Sequence, residues 1–483
     1  MKDFNLIAFG SDSYKQSHWN LYPEGTEFVY SYCEPRIGAR FKDTMFFGLS
    51  YILQRYLSGQ VVTREKIEEA AAVCKAHFGS EAVFNRAGWE YILEAHNGRL
   101  PIRIKALPEG TVVPAGTCLF TIENTDPRVP WLTNFLETVL MQVWSPITVA
   151  TSSREVRKII AKYLDWNGTP EGLNFKLHDF GFRGVSSLET AALAGAAHLA
   201  TGAMGTDTMA ALALLRDYYS EPMAGFSIPA TEHSIMTAGG PNGEADIVRR
   251  ILKTHPTGLV AIVGDSYDMM GFIRNVIGNN LDIATAIRNR QGTVVIRPDS
   301  GEIPQIDVDV FHALEAVFGS ENNSKGFAVL PPYVRLIQGD GIKWTKQDIL
   351  DGGGWWHTAE HILNRFHTER ISSDNITFGS GGGLLQCFDR DTQRFAIKCS
   401  AMCVNGEWRD VYKEPKTDPT KNSKRGRLAV VRNSHNEIVT TQANGDWMSH
   451  GFKNLLETTF EDGELKNQQK LSDIRERAAI QHA

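Results

Sequence analysis

A glycine-rich segment in the second half of the chain is placed where it could bind phosphate. Residues 379–383, which read Gly-Ser-Gly-Gly-Gly, directly follow the apolar residues 376–378. In a linker such residues form flexible coil, but after a strand they let backbone N–H groups approach a phosphate closely. We therefore interpret this segment as a phosphate-binding loop.

Two aspartates follow neighbouring apolar runs and could bind a sugar or a metal ion. Asp299 lies in residues 297–301, Arg-Pro-Asp-Ser-Gly, and Asp340 lies in residues 338–341, Gln-Gly-Asp-Gly. Both segments are also compatible with plain turns. Two carboxylates at strand ends can hold ribose hydroxyls or a hydrated Mg²⁺, and the planar guanidinium of Arg297 suits an oxygen acceptor.

An aromatic ring, an arginine and a histidine complete the candidate chemistry. Phe180 and Arg183 lie among glycines, which is typical of a stacking platform beside an anion clamp. The alternative is a core phenylalanine and a surface arginine. His233 ends another apolar run; a lone histidine is usually structural, but this position favours a functional one.

Two further patterns indicate other chemistries. His357 and His361 fit the His-x-x-Glu-His pattern of some zinc proteases. Their segment follows a glycine cluster and falls between two proposed strands, so we favour an inserted helix over a zinc site. The basic stretch at residues 413–427 is interpreted as a solvated face, with nucleic-acid binding as the lesser alternative.

Six apolar runs that end in these polar clusters predict the fold. They cover residues 175–181, 225–233, 259–266, 293–301, 334–341 and 376–383. Short β-branched runs that alternate with helical segments are typical of a parallel sheet, which gathers chemistry at the carboxyl ends of its strands. We predict an α/β fold with a decorated (β/α) barrel-like central domain at residues 151–390. A smaller mixed α+β flanking domain would comprise residues 1–150 and 391–483.

Bulk composition narrows the class of protein. The chain has 483 residues, which is too long for one small core. Its net charge of −6 gives no reason to expect nucleic acid as the main partner. We find no apolar stretch long enough to cross a bilayer and no signal-peptide pattern in the first residues. The 6 cysteines are scattered and form no Cys-x-x-Cys pair, which favours reduced thiols in a cytoplasmic protein.

Taken together, these motifs resemble those of the nicotinamide phosphoribosyltransferases, type II phosphoribosyltransferases of NAD salvage. The resemblance covers nearly the whole chain, and its motifs lie at residues 12–15, 22–23, 47–49, 123–127, 178–187, 205–208, 232–234, 265–268, 296–301, 338–341, 378–385 and 423–428. It implies that nicotinamide and phosphoribosyl pyrophosphate are joined to give nicotinamide mononucleotide and pyrophosphate. It also implies a decorated α/β barrel and a homodimer with two active sites at the interface, with no nucleic-acid or membrane partner.

The resemblance assigns a role to each site residue. At the pyridine ring it places Phe180 and the partner subunit's Tyr14 as the stacking pair, with Asp207 accepting from the carboxamide NH₂ and Arg297 facing its oxygen. The implied catalytic residues are His233, Asp299 and Asp340. The implied substrate-binding residues are Tyr14, Phe180, Arg183, Asp207, Ser227, Arg297, Gly339, Gly381, Gly382, Arg390, Lys398, Lys413 and Lys421.

Within this set, the ribose and the phosphates have separate contacts. The ribose is held by Asp299, Gly339 and Asp340. The 5′-phosphate is held by the backbone at Gly382, with Arg390 reaching across the dimer. Arg183 and His233 lie at the pyrophosphate, and the further positive charge comes from Lys398, Lys413 and Lys421.

Cofactor expectations also come from the resemblance. Mg²⁺ enters with the substrate phosphates, near Asp299 and Asp340, and no residue is a certain metal ligand. ATP acts as a stimulating co-substrate that transfers a phosphoryl group to His233 and couples its hydrolysis to tighter substrate binding.

The chemistry of the reaction agrees with these residue types. A pyridine nitrogen has a free lone pair and needs no general base, whereas C1 of the ribose becomes oxocarbenium-like as pyrophosphate leaves. The site must therefore align the reactants and stabilise charge. Asp207 would also disfavour the binding of nicotinate, because the carboxylate of that base would lie against the Asp207 carboxylate.

Three alternatives remain beside this interpretation. They are a nicotinate phosphoribosyltransferase of similar fold, a non-catalytic nucleotide-binding or interaction protein, and a zinc hydrolase built on His357 and His361. Two departures from the family pattern are also present: residues 342–375 are longer than usual, and Gly264 stands where a serine is expected.

Overall fold

A computed structural model describes residues 4–347, 354–417 and 422–480. Its contacts divide the chain into two compact units. The first is built from both chain ends, up to Thr151 and from Phe388 to Ala478, together with Asp217–Glu221. The second comprises Ser152–Arg216 and Pro222–Cys387.

The second unit is organised around a six-stranded parallel sheet. Its strands are β1 (Leu177–Asp179), β2 (Gly205–Thr206), β3 (Thr257–Val263), β4 (Gln291–Arg297), β5 (Val334–Gln338) and β6 (Ile376–Ser380). They lie in the order β2-β1-β6-β5-β4-β3, and every neighbouring pair is parallel. The α/β fold with a barrel-like parallel sheet is therefore confirmed, and all carboxyl ends lie at one rim.

An extended segment joins the two edges of this sheet. Phe226 forms an isolated bridge with Gly205 of β2, and Ala230 forms one with Ala261 of β3. The prediction of a strand at residues 225–233 is therefore wrong, because the segment forms isolated β-bridges and not a continuous ladder of hydrogen bonds with a neighbouring strand. Pro229 explains part of this, because proline has no N–H to donate; only its carbonyl bonds, accepting from the Ala261 N–H at 2.9 Å.

Small and β-branched side chains fill the interior of the sheet. Ala261, Val295 and Ile337, from three adjacent strands, form a buried cluster against which Phe180 and Ile228 pack. These residues sit below the rim, so the cluster supports the polar side chains that follow the strands.

Helices connect the strands of the second unit. The helix Leu188–Ala200 is rich in alanine and leucine, which are strong helix formers, and Ser187 caps it by accepting from the Thr190 N–H at 3.1 Å. The α-helices of this unit are Leu188–Ala200, His233–Met236, Glu244–Thr254, Met269–Gly271, Leu281–Arg288, Gln305–Phe318, Thr358–Thr368 and Gly382–Leu385, and Met209–Tyr219 ends in residues that belong to the first unit. Its further pieces are the π-helix Phe272–Gly278, the 3₁₀ turns Pro170–Phe175, Phe182–Gly184, Thr237–Gly239 and Ser373–Asn375, and the strand pairs Glu321–Asn322 with Ala328–Val329 and Trp344–Gln347 with Gly354–His357.

The first unit contains a seven-stranded antiparallel sheet. In spatial order its strands are Glu407–Asp410, Ala396–Val404, Thr26–Glu34, Phe120–Asn124, Ile102–Ala106, Glu457–Glu461 and Glu464–Leu465. Two-stranded pairs join Asp43–Met45 to Val112–Pro114 and Leu428–Arg432 to Ile438–Gln442. Its α-helices are Leu6–Phe9, Leu49–Ile52, Arg64–Phe78, Arg86–Ala95, Trp131–Phe135, Glu137–Met141 and Leu471–Ala478, and Trp144–Asn167 runs from this unit into the second. Among the helices of the described ranges, none is both long and apolar enough to span a membrane.

Candidate active site

A cavity of about 1200 Å³ opens where the strands of the parallel sheet end. Ten of the residues predicted from the sequence line it: Phe180, Arg183, Asp207, His233, Arg297, Asp299, Gly339, Asp340, Gly381 and Gly382. Nine of them follow, or are the last residues of, five of the six strands, and His233 follows the extended segment that bridges β2 and β3. Parallel topology therefore brings together residues that are up to 202 positions apart in the chain.

Asp207 lines the cavity and is exposed. Its N–H donates to the Asp179 carbonyl at 2.9 Å, and the Ser227 hydroxyl donates to its carboxylate. Asp179 is buried, and its carboxylate accepts from Gly181 N at 2.8 Å and from Thr206 Oγ1 at 3.0 Å. Burial raises the pKa of the Asp179 carboxyl. Asp179 thus ties the ends of β1 and β2 together beneath Asp207.

Phe180 forms an apolar part of the cavity wall. Its N–H donates to the Ser380 carbonyl at 2.9 Å, and its ring lies across the backbone of Gly379. A Cβ at Gly379 would come within 2.1 Å of Phe180 Cε2, so only glycine leaves room for the ring in this position.

Arg297 and Asp299 pack against Gly339 across two strand ends. A Cβ at Gly339 would lie 2.9 Å from Arg297 Cδ and 3.2 Å from Asp299 Oδ1. Arg297 Nε is buried and has no hydrogen-bond partner among the described residues. This guanidinium therefore has a donor that no neighbouring group uses.

His233 lies between a hydroxyl and two carboxylates. Its Nδ1 is 3.2 Å from Ser266 Oγ, and its Nε2 is 3.4 Å from Asp299 Oδ2 and 3.8 Å from Asp265 Oδ1. The imidazole side chain is 44% exposed, so it remains accessible from the cavity. The ring therefore has a hydroxyl beside one nitrogen and two carboxylates near the other.

Asp265 supports this arrangement, and sequence reasoning did not select it as a site residue. Its side chain is 5% exposed, and its Oδ2 accepts from Asp299 N at 3.1 Å and from Ser300 Oγ at 2.5 Å. Its Oδ1 is buried and makes no hydrogen bond within the part of the chain that is described. Its position at the end of the run 259–266 was the available signal.

The glycine-rich loop packs against a second glycine. A Cβ on Gly184 would lie 2.9 Å from Gly382 N, at the start of the short helix Gly382–Leu385. Glycine at 184 therefore allows the loop at residues 381–383 to lie directly beside Arg183, which is exposed to the cavity.

The donors available for a cation are carboxylate oxygens. Asp299 and Asp340 line the cavity, and Asp265 Oδ1 is buried without a hydrogen bond among the described residues. Oxygen donors of this kind suit a hydrated Mg²⁺. In the described segments, no group of three or more His, Cys, Asp or Glu side chains is arranged to hold a metal ion.

Four of the remaining predicted residues lie in the first unit. Tyr14, in the 3₁₀ turn Ser13–Asn20, is 59% exposed, and Arg390 is also exposed. Lys398 lies on the strand Ala396–Val404, and burial and then the charge of Arg36 lower the pKa of its ammonium group. Lys413 is exposed and bonds through its backbone to Ser423. Lys421 lies outside the described residues.

The histidines of the zinc pattern do not share a helix face. His357 ends the strand Gly354–His357 and caps the helix Thr358–Thr368, where its Nδ1 accepts from the Ala359 N–H at 3.3 Å. Its side chain is buried, and burial lowers its pKa to about 3. His357 therefore serves as a helix cap.

The glycine at 264 has a packing reason. A Cβ there would lie 2.4 Å from Phe272 Cδ1, so a serine at this position would require Phe272 to move.

Comparisons with known proteins show the family to which the chain belongs. The model of the nicotinate phosphoribosyltransferase (NAPRTase) family matches residues 175–464, and the model of the nicotinamide phosphoribosyltransferase N-terminal domain matches residues 6–104. The nicotinamide phosphoribosyltransferase of Xanthomonas campestris pv. campestris (strain 8004) is 43% identical, with 98% of this chain and 98% of the relative covered. That of Acinetobacter baylyi (strain ATCC 33305 / BD413 / ADP1) is 33% identical, covering 97% of this chain and 96% of the relative.

A solved structure shares the fold. The nicotinate-nucleotide pyrophosphorylase from Pyrococcus furiosus superposes with a TM-score of 0.58 at 16% identity, covering 99% of this chain and 97% of that one. At this identity the likeness concerns the fold alone. The family model spans more than half of the chain and the relatives span nearly all of it, so the chain belongs to the nicotinate phosphoribosyltransferase family.

Proposed function

We propose that this protein transfers the phosphoribosyl group of phosphoribosyl pyrophosphate to nicotinamide, giving nicotinamide mononucleotide and pyrophosphate in NAD salvage. The observation that carries the proposal is the polarity of the cavity. One cavity is lined by an aromatic ring and an exposed carboxylate (Phe180 and Asp207), by Arg183 with the glycines of the loop, and by Asp299 and Asp340. The full-length relatives named nicotinamide phosphoribosyltransferase support it.

At the base end, the site would bind the pyridine and orient it. Phe180 stacks on the ring, the Asp207 carboxylate accepts from the carboxamide NH₂, and Arg297 donates to the carboxamide oxygen. Ser227 already donates to Asp207, which keeps that carboxylate turned toward the cavity rim. A base fixed in this way presents its nitrogen lone pair in one direction, so orientation replaces general-base catalysis.

Around the ribose, the site would stabilise developing positive charge. Asp299 and Asp340 bind the ribose hydroxyls, and their negative charge favours an oxocarbenium-like C1. Arg183 and His233 neutralise the departing pyrophosphate, and the backbone at Gly381 and Gly382 binds the 5′-phosphate. When bound near Asp299 and Asp340, Mg²⁺ would add charge neutralisation at the phosphates.

ATP stimulation through His233 is part of the proposal. The geometry that supports it is the accessible imidazole with Ser266 on one nitrogen and carboxylates near the other. A phosphoryl group on this ring would sit beside the pyrophosphate position and alter its charge.

We also propose a homodimer whose partner subunit completes each site. The partner's Tyr14 would cover the second face of the pyridine, and the partner's Arg390 would reach the 5′-phosphate. Further positive charge at the phosphates would come from Lys398, Lys413 and Lys421. All 6 cysteines are free thiols, which supports a cytoplasmic location.

The test offers both bases to the purified protein. Phosphoribosyl pyrophosphate and Mg²⁺ are supplied with nicotinamide or nicotinic acid, with and without ATP, and mononucleotide is measured by chromatography. Product from the amide alone supports the proposal, and faster turnover with ATP supports the role of His233. Product from the acid would assign the protein to the nicotinate branch, and no product from either base would refute phosphoribosyl transfer to a pyridine.

A further inference from the structure

A lysine beside the glycine loop belongs to none of the assigned contacts. It is Lys343, which lies two residues beyond the Gln-Gly-Asp-Gly motif at 338–341. It stands at the base of the strand pair Trp344–Gln347 and Gly354–His357, within the long segment between β5 and β6.

The backbone of Lys343 is fixed on both sides. Its N–H donates to Thr358 Oγ1 at 2.8 Å, and its carbonyl accepts from the Thr358 N–H at 3.1 Å. Thr358 Oγ1 also donates to the Gly341 carbonyl at 2.9 Å. Since Thr358 begins the helix Thr358–Thr368, the origin of the lysine side chain is anchored to a regular element.

Lys343 also touches the glycine loop directly. A Cβ built on Gly383 would lie 2.9 Å from Lys343 Cβ and 2.8 Å from the Ile342 carbonyl oxygen. The buried Ser380 hydroxyl donates to the same Ile342 carbonyl at 2.6 Å. The loop that would hold the phosphate and the base of the lysine side chain are thus in contact and tied by a buried hydrogen bond.

The charge of Lys343 is available to a ligand. Its side chain is exposed, and no ion pair or hydrogen bond of its Nζ occurs with any residue that the structure describes. Lysine carries its ammonium on a flexible four-carbon stem and binds phosphate as a point charge. A stem that starts against Gly383 places this charge within reach of an anion on the loop.

We infer that Lys343 is a further substrate-binding residue, whose ammonium group binds the 5′-phosphate at residues 381–383. The inference rests on the proposed function and adds a cation, beside Gly383, to the groups that would bind the substrate's ribose phosphate. It also gives a role to the long segment between β5 and β6, because Lys343 belongs to this segment.

The test separates the 5′-phosphate from the rest of the nucleotide. Binding of nicotinamide mononucleotide and of nicotinamide riboside, which lacks the phosphate, is measured by titration calorimetry on the wild-type full chain and on Lys343→Ala. We expect the Kd of the mononucleotide to rise about five- to tenfold, as for a partly screened charge-assisted contact, with no change for the riboside. Lys343→Arg should keep most of the affinity.

Two controls keep the result specific. Lys346→Ala removes an exposed lysine three positions along the same strand pair and should leave both affinities unchanged. Thermal melting checks that Lys343→Ala folds like the wild type, and Lys343→Gln replaces it if it does not. An unchanged mononucleotide Kd, or equal losses for mononucleotide and riboside, would overturn the inference. A wild-type protein that binds neither ligand would refute the proposed function and this inference with it.

Discussion

Replacement of Asp207 by asparagine tests how the site would distinguish nicotinamide from nicotinate. The Asp207 carboxylate is exposed in the cavity and accepts one hydrogen bond, from the Ser227 hydroxyl. Asparagine keeps the size of the side chain and one acceptor oxygen, so the change removes charge with little change in shape. Any effect on base preference then reports the electrostatic contribution.

The magnitude follows from two interactions. A charged acceptor makes the hydrogen bond to the carboxamide stronger than a neutral one by about 1 kcal/mol, which is the expected loss for nicotinamide. Two carboxylates about 4 Å apart repel by about 1 kcal/mol in water and about 4 kcal/mol near a protein surface. Because Asp207 is exposed, a relief of about 1–2 kcal/mol is expected for nicotinate. The preference for the amide in kcat/KM should therefore fall by about 30- to 150-fold.

The assay measures initial rates of mononucleotide formation with each base at neutral pH. Wild type, Asp207→Asn and Ser227→Ala are compared; the last keeps the carboxylate and should lower the preference far less. An Asp207→Asn enzyme that discriminates as strongly as the wild type would show that another residue distinguishes the two bases.

Three further substitutions test the packing of the site and the core. Gly379→Ala places a methyl group in the Phe180 ring; the KM for nicotinamide should rise about tenfold or more in steady-state kinetics, because the ring must move. Gly184→Ala crowds Gly382 N, so the KM for phosphoribosyl pyrophosphate should rise while that for nicotinamide changes little. Asp307 is buried, and neither carboxylate oxygen has a partner in the described chain; burial raises its pKa to about 8. The folded protein then holds a proton that the unfolded chain releases near pH 4, so stability falls as pH rises from about 4 to 8. Asp307→Asn should remove this dependence of the free energy of unfolding on pH. Urea unfolding at about pH 5 and pH 8 would then show that the stability of the variant, relative to the wild type, is greater at the higher pH.

The strand ends of the parallel sheet could be predicted from the sequence because buried strands leave a strong local signal. Five of the six apolar runs contain strands of the sheet. β2 could not be found in this way, since a two-residue strand, Gly205–Thr206, has no apolar run. The run at 225–233 has the composition of a strand. Whether it forms a hydrogen-bonded ladder depends on the edge strands of the sheet that it contacts, and local composition does not determine those contacts.

The supporting residues of the site were harder to predict than the residues that line it. Asp179 and Asp265 have the sequence signature of turn aspartates, and their importance lies in which distant donors they bond. Those partners are set by register and strand order. The resemblance to a family supplied Tyr14 and the basic residues of the first unit, for which residue type and spacing alone gave no indication.

Buried polar atoms that make no hydrogen bond explain why the cavity suits a charged reaction. Arg297 Nε and Asp265 Oδ1 have no hydrogen-bond partner among the described residues, and an unmet group of this kind costs about 1–3 kcal/mol. The other oxygen of Asp265 accepts from the backbone and from a hydroxyl of the loop that carries Asp299. The charged contact of these two aspartates is with His233, whose Nε2 is 3.4 Å from Asp299 Oδ2 and 3.8 Å from Asp265 Oδ1. Hydrogen bonds from the loop therefore hold the Asp265 carboxylate in place before a substrate arrives, and charges fixed in this way are the form of preorganisation that glycosyl transfer requires.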